Sequence, residues 1–217
     1  MRTWVVLGCL ILGTTWFCAS HAYDYLAPVE PAVGARVLVV EAGPSLEAVH
    51  YVKGLLDTGR YSRIVPVSMP IDPLSPFAHF GTDADLWAAR LVRLGVPPER
   101  VEVVRVPALD RHRTAHKALA VRRHLDVRAA AAVDLVSPST HARRSLLVYE
   151  RALRPTRVGV LSIPQPDADR QWWNSSAGVR MVIGEALALG YFCVGRDEVE
   201  QARTDWAKLS SGSRQGE

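Results

Sequence analysis

The stretch RVLVVEAGPSLEAVHYVKGLLDTG, residues 36–59, changes its hydrophobic pattern halfway along. Its first part is a continuous apolar run bounded by glycine and proline, the pattern of a strand buried on both faces. Its second part spaces apolar residues three and four apart, as on one face of a helix, with Ser45 as a candidate N-cap and Gly59 as a stop signal. A buried strand followed directly by an amphipathic helix is the repeating unit of a parallel α/β sheet.

The rest of the chain repeats this alternation. Further strands are predicted at RIVPVSM, VEVVRVPA, AAAVDLVSP and RVGVLSIP, with helical patterns between them and a long helix after the last. We therefore expect an α/β fold over residues 36–195, a Rossmann-like three-layer sandwich with a mainly parallel sheet of about five strands. Residues 23–35 are predicted to be a linker, and residues 196–217 a polar C-terminal tail.

The N-terminus carries one hydrophobic helix. Residues 4–20 hold no charged side chain, and as a helix they span about 25 Å, close to the thickness of a bilayer core. We predict a membrane anchor at residues 1–22, with a cleaved signal segment or a buried core helix as alternatives. An anchor makes this a single-pass protein of the inner or plasma membrane with its domain outside the cytoplasm, whereas cleavage makes it secreted or periplasmic.

Composition and motifs exclude several classes of function. The formal charge is +4 and the pI about 9.2, but Lys and Arg form no long run and do not alternate with aromatic residues. Nucleic acid is therefore not an expected partner. The sequence has no G-x-S-x-G, no P-loop and no G-x-G-x-x-G, so it shows no nucleophile elbow and indicates no particular cofactor.

Two predicted helices begin with cationic side chains. The segment DRHRTAHK, residues 110–117, contains Arg113, and STHARRS, residues 139–145, contains His141 and Arg144. The helix dipole makes an N-terminus positive, so cations there suit an anion held in front of the helix. Solvated side chains are the alternative. Both helix starts follow strands and lie at the same sheet edge, where we expect an anion-binding site.

A metal pair is a weaker interpretation of the first of these segments. His112 and His116 have the i, i+4 spacing of zinc ligands, but no glutamate follows the first histidine as in H-E-x-x-H. A third ligand would have to come from elsewhere, such as Asp110 or His141. We expect exposed histidines and no metal.

The candidate site consists of residues predicted at the carboxyl ends of the strands. The candidate catalytic residues are His141, Asp110 and Glu41. The candidate ligand-binding residues are Gly43, Ser45, Ser68, Arg113, Thr114, Ser137, Ser139 and Arg144. Each serine at a strand–helix junction has helix capping as its alternative role.

Four segments of the chain, within about residues 36–190, resemble the YdcF/SanA/ElyC family in the order in which they occur there. They are VVEAGPSLEAVHYVKGLLDTGRYSRIVPVS, LGVPPERVEVVRVPALDRHRTAHKALAVRRHL, SPSTHARRSLLVYERAL and WWNSSAGVRMVIGEAL. The most specific features are the Arg-Thr pair at 113–114, the pattern S-x-x-x-H-x-x-R-S starting at Ser137, and a W-W-x-x-S run that ends at Glu185.

The resemblance implies a Rossmann-like domain behind a membrane segment, and a role in cell-envelope biogenesis that includes peptidoglycan and surface-polysaccharide metabolism. It transfers site roles to Glu41, Asp110, Arg113, Thr114, His141 and Arg144. Two segments depart from the similar branch, whose first motif reads V-V-E-G-W-L-P. The first loop here lacks the tryptophan, and Ser68 and Met69 stand where Gly-Gly is usual.

These observations lead to two hypotheses about function. In the first, a membrane-anchored envelope protein binds or acts on a phosphorylated envelope precursor, as a hydrolase or a transferase. Arg113 and Arg144 would then clamp phosphate, His141 would act as acid or base, and Asp110 or Glu41 would orient it. In the second, the same pocket belongs to a non-catalytic binding or regulatory module of the envelope.

Overall fold

A computed structural model of the chain describes residues 2–43, 45–126, 130–164, 171–195 and 197–212. This part of the chain has an α/β fold with six strands in one sheet and seven α-helices. The strands are β1 (Val29–Glu30), β2 (Val37–Glu41), β3 (Arg63–Ser68), β4 (Val104–Arg105), β5 (Ala132–Pro138) and β6 (Arg157–Ile163). The helices are α1 (Arg2–Leu26), α2 (Leu46–Asp57), α3 (Asp83–Arg93), α4 (Arg113–Asp126), α5 (Ala142–Leu153), α6 (Ser176–Val194) and α7 (Glu198–Gly212).

The sheet has the strand order β1-β6-β5-β2-β3-β4. Strands β2 to β6 pair in parallel, and β1 pairs with β6 in the antiparallel sense. The α/β class and the mainly parallel sheet are therefore confirmed, with β1 as a sixth strand that was not predicted. At two residues, β1 is too short to leave a pattern in the sequence.

Strand β2 lies inside the sheet, and all five of its residues are buried. Its side chains alternate between two core clusters, because successive residues of a strand point to opposite faces. Val37 and Val39 pack with residues of α4, α5 and α7, and Leu38 and Val40 pack with residues of α2 and α3. The continuous apolar run in the sequence thus reflects burial on both faces.

Residues 23–35, predicted as a linker, are fixed to the sheet. Helix α1 continues to Leu26, and β1 follows three residues later. Asp134, fully buried on β5, accepts hydrogen bonds from the Ala32 backbone N–H and the Tyr61 hydroxyl, both at 2.7 Å. A Cβ on Gly159 would lie 2.1 Å from the Ala32 nitrogen, so this close approach requires glycine. The segment is therefore part of the domain.

The predicted polar tail, residues 196–217, also differs from the structure. Helix α7 covers much of it and buries Val199 and Ala202 in the core cluster that contains α4 and α5. The Arg123 guanidinium of α4 lies 4.1 Å from the ring centre of Trp206 on α7. The folded domain thus extends past residue 195, because a few apolar contacts are enough to dock a mostly polar helix. Residues 213–217 of the predicted tail lie outside the described residues.

The predicted N-terminal helix is present as α1. Every side chain described from Trp4 to Cys18 is exposed, and burial begins only at Ala19. This exposure does not fit the alternative of a buried core helix. Among the described residues, a different helix, α6, is long and apolar enough to cross a membrane by length and composition, and 22% of its apolar window is buried.

Candidate functional site

The candidate site lies where the connections of the sheet change direction. From β2 the chain proceeds through β3 to β4 on one side, whereas β5 and β6 lie on the other. In open parallel sheets, ligands bind outside the carboxyl ends of the strands at such a switch point. Strand β2 ends at Glu41, and Ser137 is near the end of its neighbour β5. The two side chains meet, with the Ser137 hydroxyl donating to Glu41 Oε2 at 2.7 Å.

Glu41 is the buried centre of this group, with 4% of its surface exposed. Its Oε2 also accepts a 2.7 Å hydrogen bond from the Ser145 hydroxyl of α5. Its Oε1 has no hydrogen-bond partner among the described residues and lies 3.7 Å from Lys117 Nζ of α4. Burial alone would raise the pKa of Glu41, but Lys117, His141 and the two hydroxyls outweigh it and hold the pKa below its ordinary value. Glu41 is therefore an ionised carboxylate under the site.

His141 connects Glu41 to a second carboxylate. Its Nε2 lies 3.7 Å from Glu41 Oε2, and its Nδ1 lies 3.0 Å from Glu185 Oε1 and 2.9 Å from Arg144 Nη2. Nδ1 cannot use both neighbours at once. When it carries a proton it donates to Glu185, and when it does not it accepts from Arg144. The ring therefore has two hydrogen-bonded states that place a proton on opposite nitrogens.

Glu185, on α6, fixes Arg144 as well as His141. The Arg144 Nε donates to Glu185 Oε2 at 3.1 Å. Burial would raise the pKa of Glu185, but the hydrogen bonds and charges of His141 and Arg144 lower it to about 2. Glu185 is therefore ionised at neutral pH and fixes the positions of both side chains.

A cavity of about 420 Å³ opens above these residues. Its lining residues come from the start of α4, the start of α5 and the start of α7, and they are Asp110, His112, Arg113, Thr114, Lys117, His141, Arg144 and Glu198. Two of the three cations already have a carboxylate, since Lys117 faces Glu41 and Arg144 faces Glu185. Arg113 has no carboxylate partner in the described part of the chain, and its Nε contacts Met69 Sδ at 3.3 Å. Within the described residues, the pocket thus combines a guanidinium that has no carboxylate partner with the N-terminus of α4.

The structure brings together seven of the predicted site residues. Asp110, Arg113, Thr114, His141 and Arg144 line the cavity, and Glu41 and Ser137 lie beneath it.

Ser139 does not line the cavity. It is buried with a φ of 23° and donates a 3.3 Å hydrogen bond to the Tyr23 hydroxyl of α1. It therefore joins the pocket loop to the N-terminal helix and does not face a ligand.

Three predicted ligand-binding residues have structural roles elsewhere. The Ser45 hydroxyl accepts from the Ala48 N–H and caps α2, and the Ser68 hydroxyl accepts from the Ala84 N–H in the first turn of α3. The Gly43 carbonyl accepts from the indole N–H of Trp87. These atoms are engaged in fixing α2 and α3, which corrects the expectation that they line the ligand site.

Lys117 and Glu185 belong to the site but were not among the predicted residues, and the same holds for His112 and Glu198 in the cavity lining. Lys117 lies one helical turn after Arg113 and Thr114, and this i, i+3/i+4 spacing was the available signal. Glu185 ends the W-W-x-x-S run of the family resemblance, but its helical setting favoured a surface position. Both now contact predicted residues, Lys117 through Glu41 and Glu185 through His141.

The described residues contain no group of three or more His, Cys, Asp or Glu side chains placed to hold a metal ion. His112 and His116, which have the spacing of zinc ligands, lie in different surroundings. His112 lines the pocket, whereas His116 is buried, with its Nε2 3.8 Å from Asp205 on α7. Burial lowers the pKa of His116, which keeps the ring neutral among apolar neighbours.

A larger cavity, of about 780 Å³, lies beside α3 and has a different character. Its lining is mostly apolar, with Phe77, Phe80 and Leu86 among the side chains and Arg90 and Arg93 at α3. Its lining does not include Glu41, His141 or Glu185. The smaller cavity, which His141 lines, is therefore the candidate site.

Comparisons with known proteins identified no relative. No family model, no curated protein and no solved structure matches this chain.

Proposed function

We propose that this chain is a membrane-anchored cell-envelope protein of the YdcF/SanA/ElyC type, with a Rossmann-like three-layer domain. Its pocket binds, or acts on, a phosphorylated envelope precursor such as a lipid carrier of peptidoglycan or surface-polysaccharide synthesis. The observation that carries the proposal is the Arg113 guanidinium at the N-terminus of α4, which has no carboxylate partner among the described residues and lies in a pocket at the switch point of the sheet.

Phosphate suits this arrangement because a guanidinium and a helix N-terminus both favour oxyanions. Arg113 supplies the unpaired charge, and Arg144 is held in place by Glu185. Asp110 and Glu198 also line the cavity, and because their negative charges repel an anion, the proposal places the phosphate at Arg113. Lys117 also lines the cavity, so its charge attracts an anion there as well as Glu41, which is 3.7 Å away.

His141 provides acid–base chemistry in this proposal. With a proton on Nδ1, shared with Glu185, Nε2 has a free lone pair and acts as a base. An incoming hydroxyl then attacks phosphorus, its proton passes to Nε2, and the bond to the leaving oxygen breaks. The imidazolium returns a proton to that oxygen. Water as the incoming group gives hydrolysis, and a sugar or lipid hydroxyl gives transfer.

A thermal-shift series on the full-length protein tests the proposal. The probes are inorganic phosphate, pyrophosphate, a short-chain polyprenyl phosphate and a nucleotide-sugar, with a dicarboxylate as a non-phosphate anion. A ligand at 100 times its Kd stabilises the folded protein by about 2.7 kcal/mol. We expect phosphorylated probes to stabilise the wild type and to lose this effect in Arg113→Ala. Stabilisation by the dicarboxylate alone, or by no probe, would contradict the proposal.

A non-catalytic binding module is the second candidate. It is favoured by the side chains that replace the family's Gly-Gly, because Met69 contacts Arg113 and Ser68 is engaged at the start of α3. The variant His141→Ala separates the two. If the protein is an enzyme, the variant is expected to turn over the polyprenyl phosphate about 10²-fold more slowly or worse and to keep its affinity. Loss of a general acid–base group typically slows a reaction by this order of magnitude. Loss of affinity without any wild-type turnover would instead identify a binding module.

A further inference from the structure

The outward face of α6 is apolar along most of its length. Residues 181–194 contain one charged side chain, Glu185, and it points inward to His141 and Arg144. The exposed apolar side chains of the helix are Val179, Ile183, Leu187, Tyr191 and Val194, which we call the α6 outer face. Their spacing of three and four residues forms a stripe along one side of the helix. A helix face directed at water normally carries several charges, and beyond Arg180 at its start this one carries none among the described residues.

Helix α6 is nonetheless fixed to the domain. Phe192 is buried in the core cluster that contains α4 and α5, and Glu185 joins the helix to the pocket. Val182 and Leu189 are buried in a smaller cluster with Leu26 at the end of α1. A helix held in this way does not leave the domain to cross a membrane by itself. By length and composition α6 could cross a membrane, but only one of its faces is free of contacts with the domain.

The turn just before α6 is attached to α1. The Trp172 indole N–H donates to the Ala19 carbonyl at 2.9 Å, and the rings of Trp173 and Trp16 lie 5.5 Å apart. Trp16 and Ala19 are at the C-terminal end of the predicted membrane span, residues 4–20. The described side chains before them are exposed apolar groups such as Trp4 and Leu12. The α6 outer face therefore starts where α1 would leave the bilayer.

From this continuity we propose that the α6 outer face lies in the headgroup–acyl boundary of the bilayer that α1 enters. The inference rests on the proposed membrane anchor. Tyr191 and the exposed Arg180 suit the interface, since aromatic rings and arginines concentrate at headgroup level.

The position of the pocket follows from this contact. Glu185 contacts the pocket residues His141 and Arg144 from the inner side of α6, so the pocket lies about one helix diameter, roughly 10 Å, from the bilayer. A membrane-borne phosphate can then reach Arg113 while its lipid chain stays in the membrane.

Spin-label accessibility tests the location of the face. The full-length protein, with Cys9, Cys18 and Cys193 replaced by serine, is reconstituted in nanodiscs that contain anionic lipid, and a nitroxide is attached at Leu187→Cys. The matched control is Leu74→Cys. Leu74 is an apolar residue on a loop, and it is 94% exposed. We expect the label at 187 to collide mainly with molecular oxygen, which concentrates in lipid, and the label at 74 mainly with a water-soluble nickel chelate.

Two results would overturn the inference. One is a label at 187 as accessible to the nickel chelate as the label at 74. The other is a label at 187 shielded from both reagents and broadened by a second nitroxide, because a second copy of the chain would then cover the face.

A second experiment separates this inference from the proposed function. The double variant Ile183→Glu, Leu187→Glu is expected to weaken binding of a long-chain polyprenyl phosphate in vesicles tenfold or more. Its binding of inorganic pyrophosphate should be unchanged. The control variant for both probes is Leu74→Glu. Unchanged binding of both probes by the double variant would contradict the inference but leave the pocket's function standing. Failure of the wild type to bind either probe would remove the proposed function, while the spin-label result still decides where α6 lies.

Discussion

Glu185 and His141 are 44 residues apart in the sequence and within hydrogen-bond distance in the structure. The Glu185 carboxylate contacts both the imidazole of His141 and the guanidinium of Arg144, from a helix whose other face is apolar. Its effect on any chemistry at the pocket is therefore indirect. It is a positioning residue, and its contribution can be measured through stability as well as activity.

The variant Glu185→Gln is expected to destabilise the protein at pH 7 by about 1–3 kcal/mol, because it weakens hydrogen bonds to charged partners. The folded-state pKa of Glu185, about 2, lies below its ordinary value of 4.5. A depressed pKa stabilises the folded state above the unfolded-state value, and this contribution is lost as the pH falls toward the folded-state value. The difference between wild type and variant should therefore shrink from pH 5 to pH 2 in urea titrations. A difference that stays constant over this range would contradict the assignment.

Some residues of the candidate site could be predicted from the sequence, and others could not. Arg113, His141 and Arg144 could be predicted because cations at the start of a helix oppose its dipole. Lys117 and Glu185 could not be assigned in the same way, because their roles depend on distances between separate elements. Ser45 and Ser68 have the sequence signature of both a ligand contact and a helix cap, and the structure shows that their hydroxyls accept backbone N–H groups.

Among the secondary-structure elements, periodicity decided which ones were predicted. Strand β2 and helix α2 have long, regular apolar patterns, and both are present as expected. Strand β1 has two residues, and α7 buries few side chains in an otherwise polar sequence, so neither leaves a clear pattern. Both are held by contacts with distant parts of the chain, which periodicity does not report.

The attachment of the segment between α1 and β2 depends on Asp134. Its side chain is fully buried and accepts from Ala32, Tyr61 and Arg60. The variant Asp134→Ala is expected to lower the free energy of unfolding by about 2–4 kcal/mol, because it leaves buried donors without an acceptor. Chemical denaturation measures this loss. The control Asp57→Ala removes an exposed pair with Lys53 and should change stability by less than about 1 kcal/mol. Equal effects of the two variants would show that Asp134 is not a structural acceptor.

At the scale of the whole molecule, α1 is expected to hold the protein in a membrane. Its described side chains up to Cys18 are exposed, although Trp16 contacts Trp173, whereas Leu26 is buried in the domain. The helix therefore leaves the domain with its apolar surface uncovered, which is stable in lipid but not in water. We predict that the full-length protein stays in the membrane pellet after alkaline carbonate extraction. Release of a soluble protein whose N-terminus follows residue 22 would instead show a cleaved signal segment.

The central claim is that Arg113 and the start of α4 form a phosphate site, and calorimetric titration of the full-length protein with pyrophosphate tests it most directly. We expect saturable binding that Arg113→Ala weakens at least tenfold, or about 1.4 kcal/mol. The control Arg111→Ala, two residues away and not among the lining residues of the pocket, should bind like the wild type. Absence of binding by the wild type, or equal affinity of the Arg113 variant and the wild type, would contradict the claim.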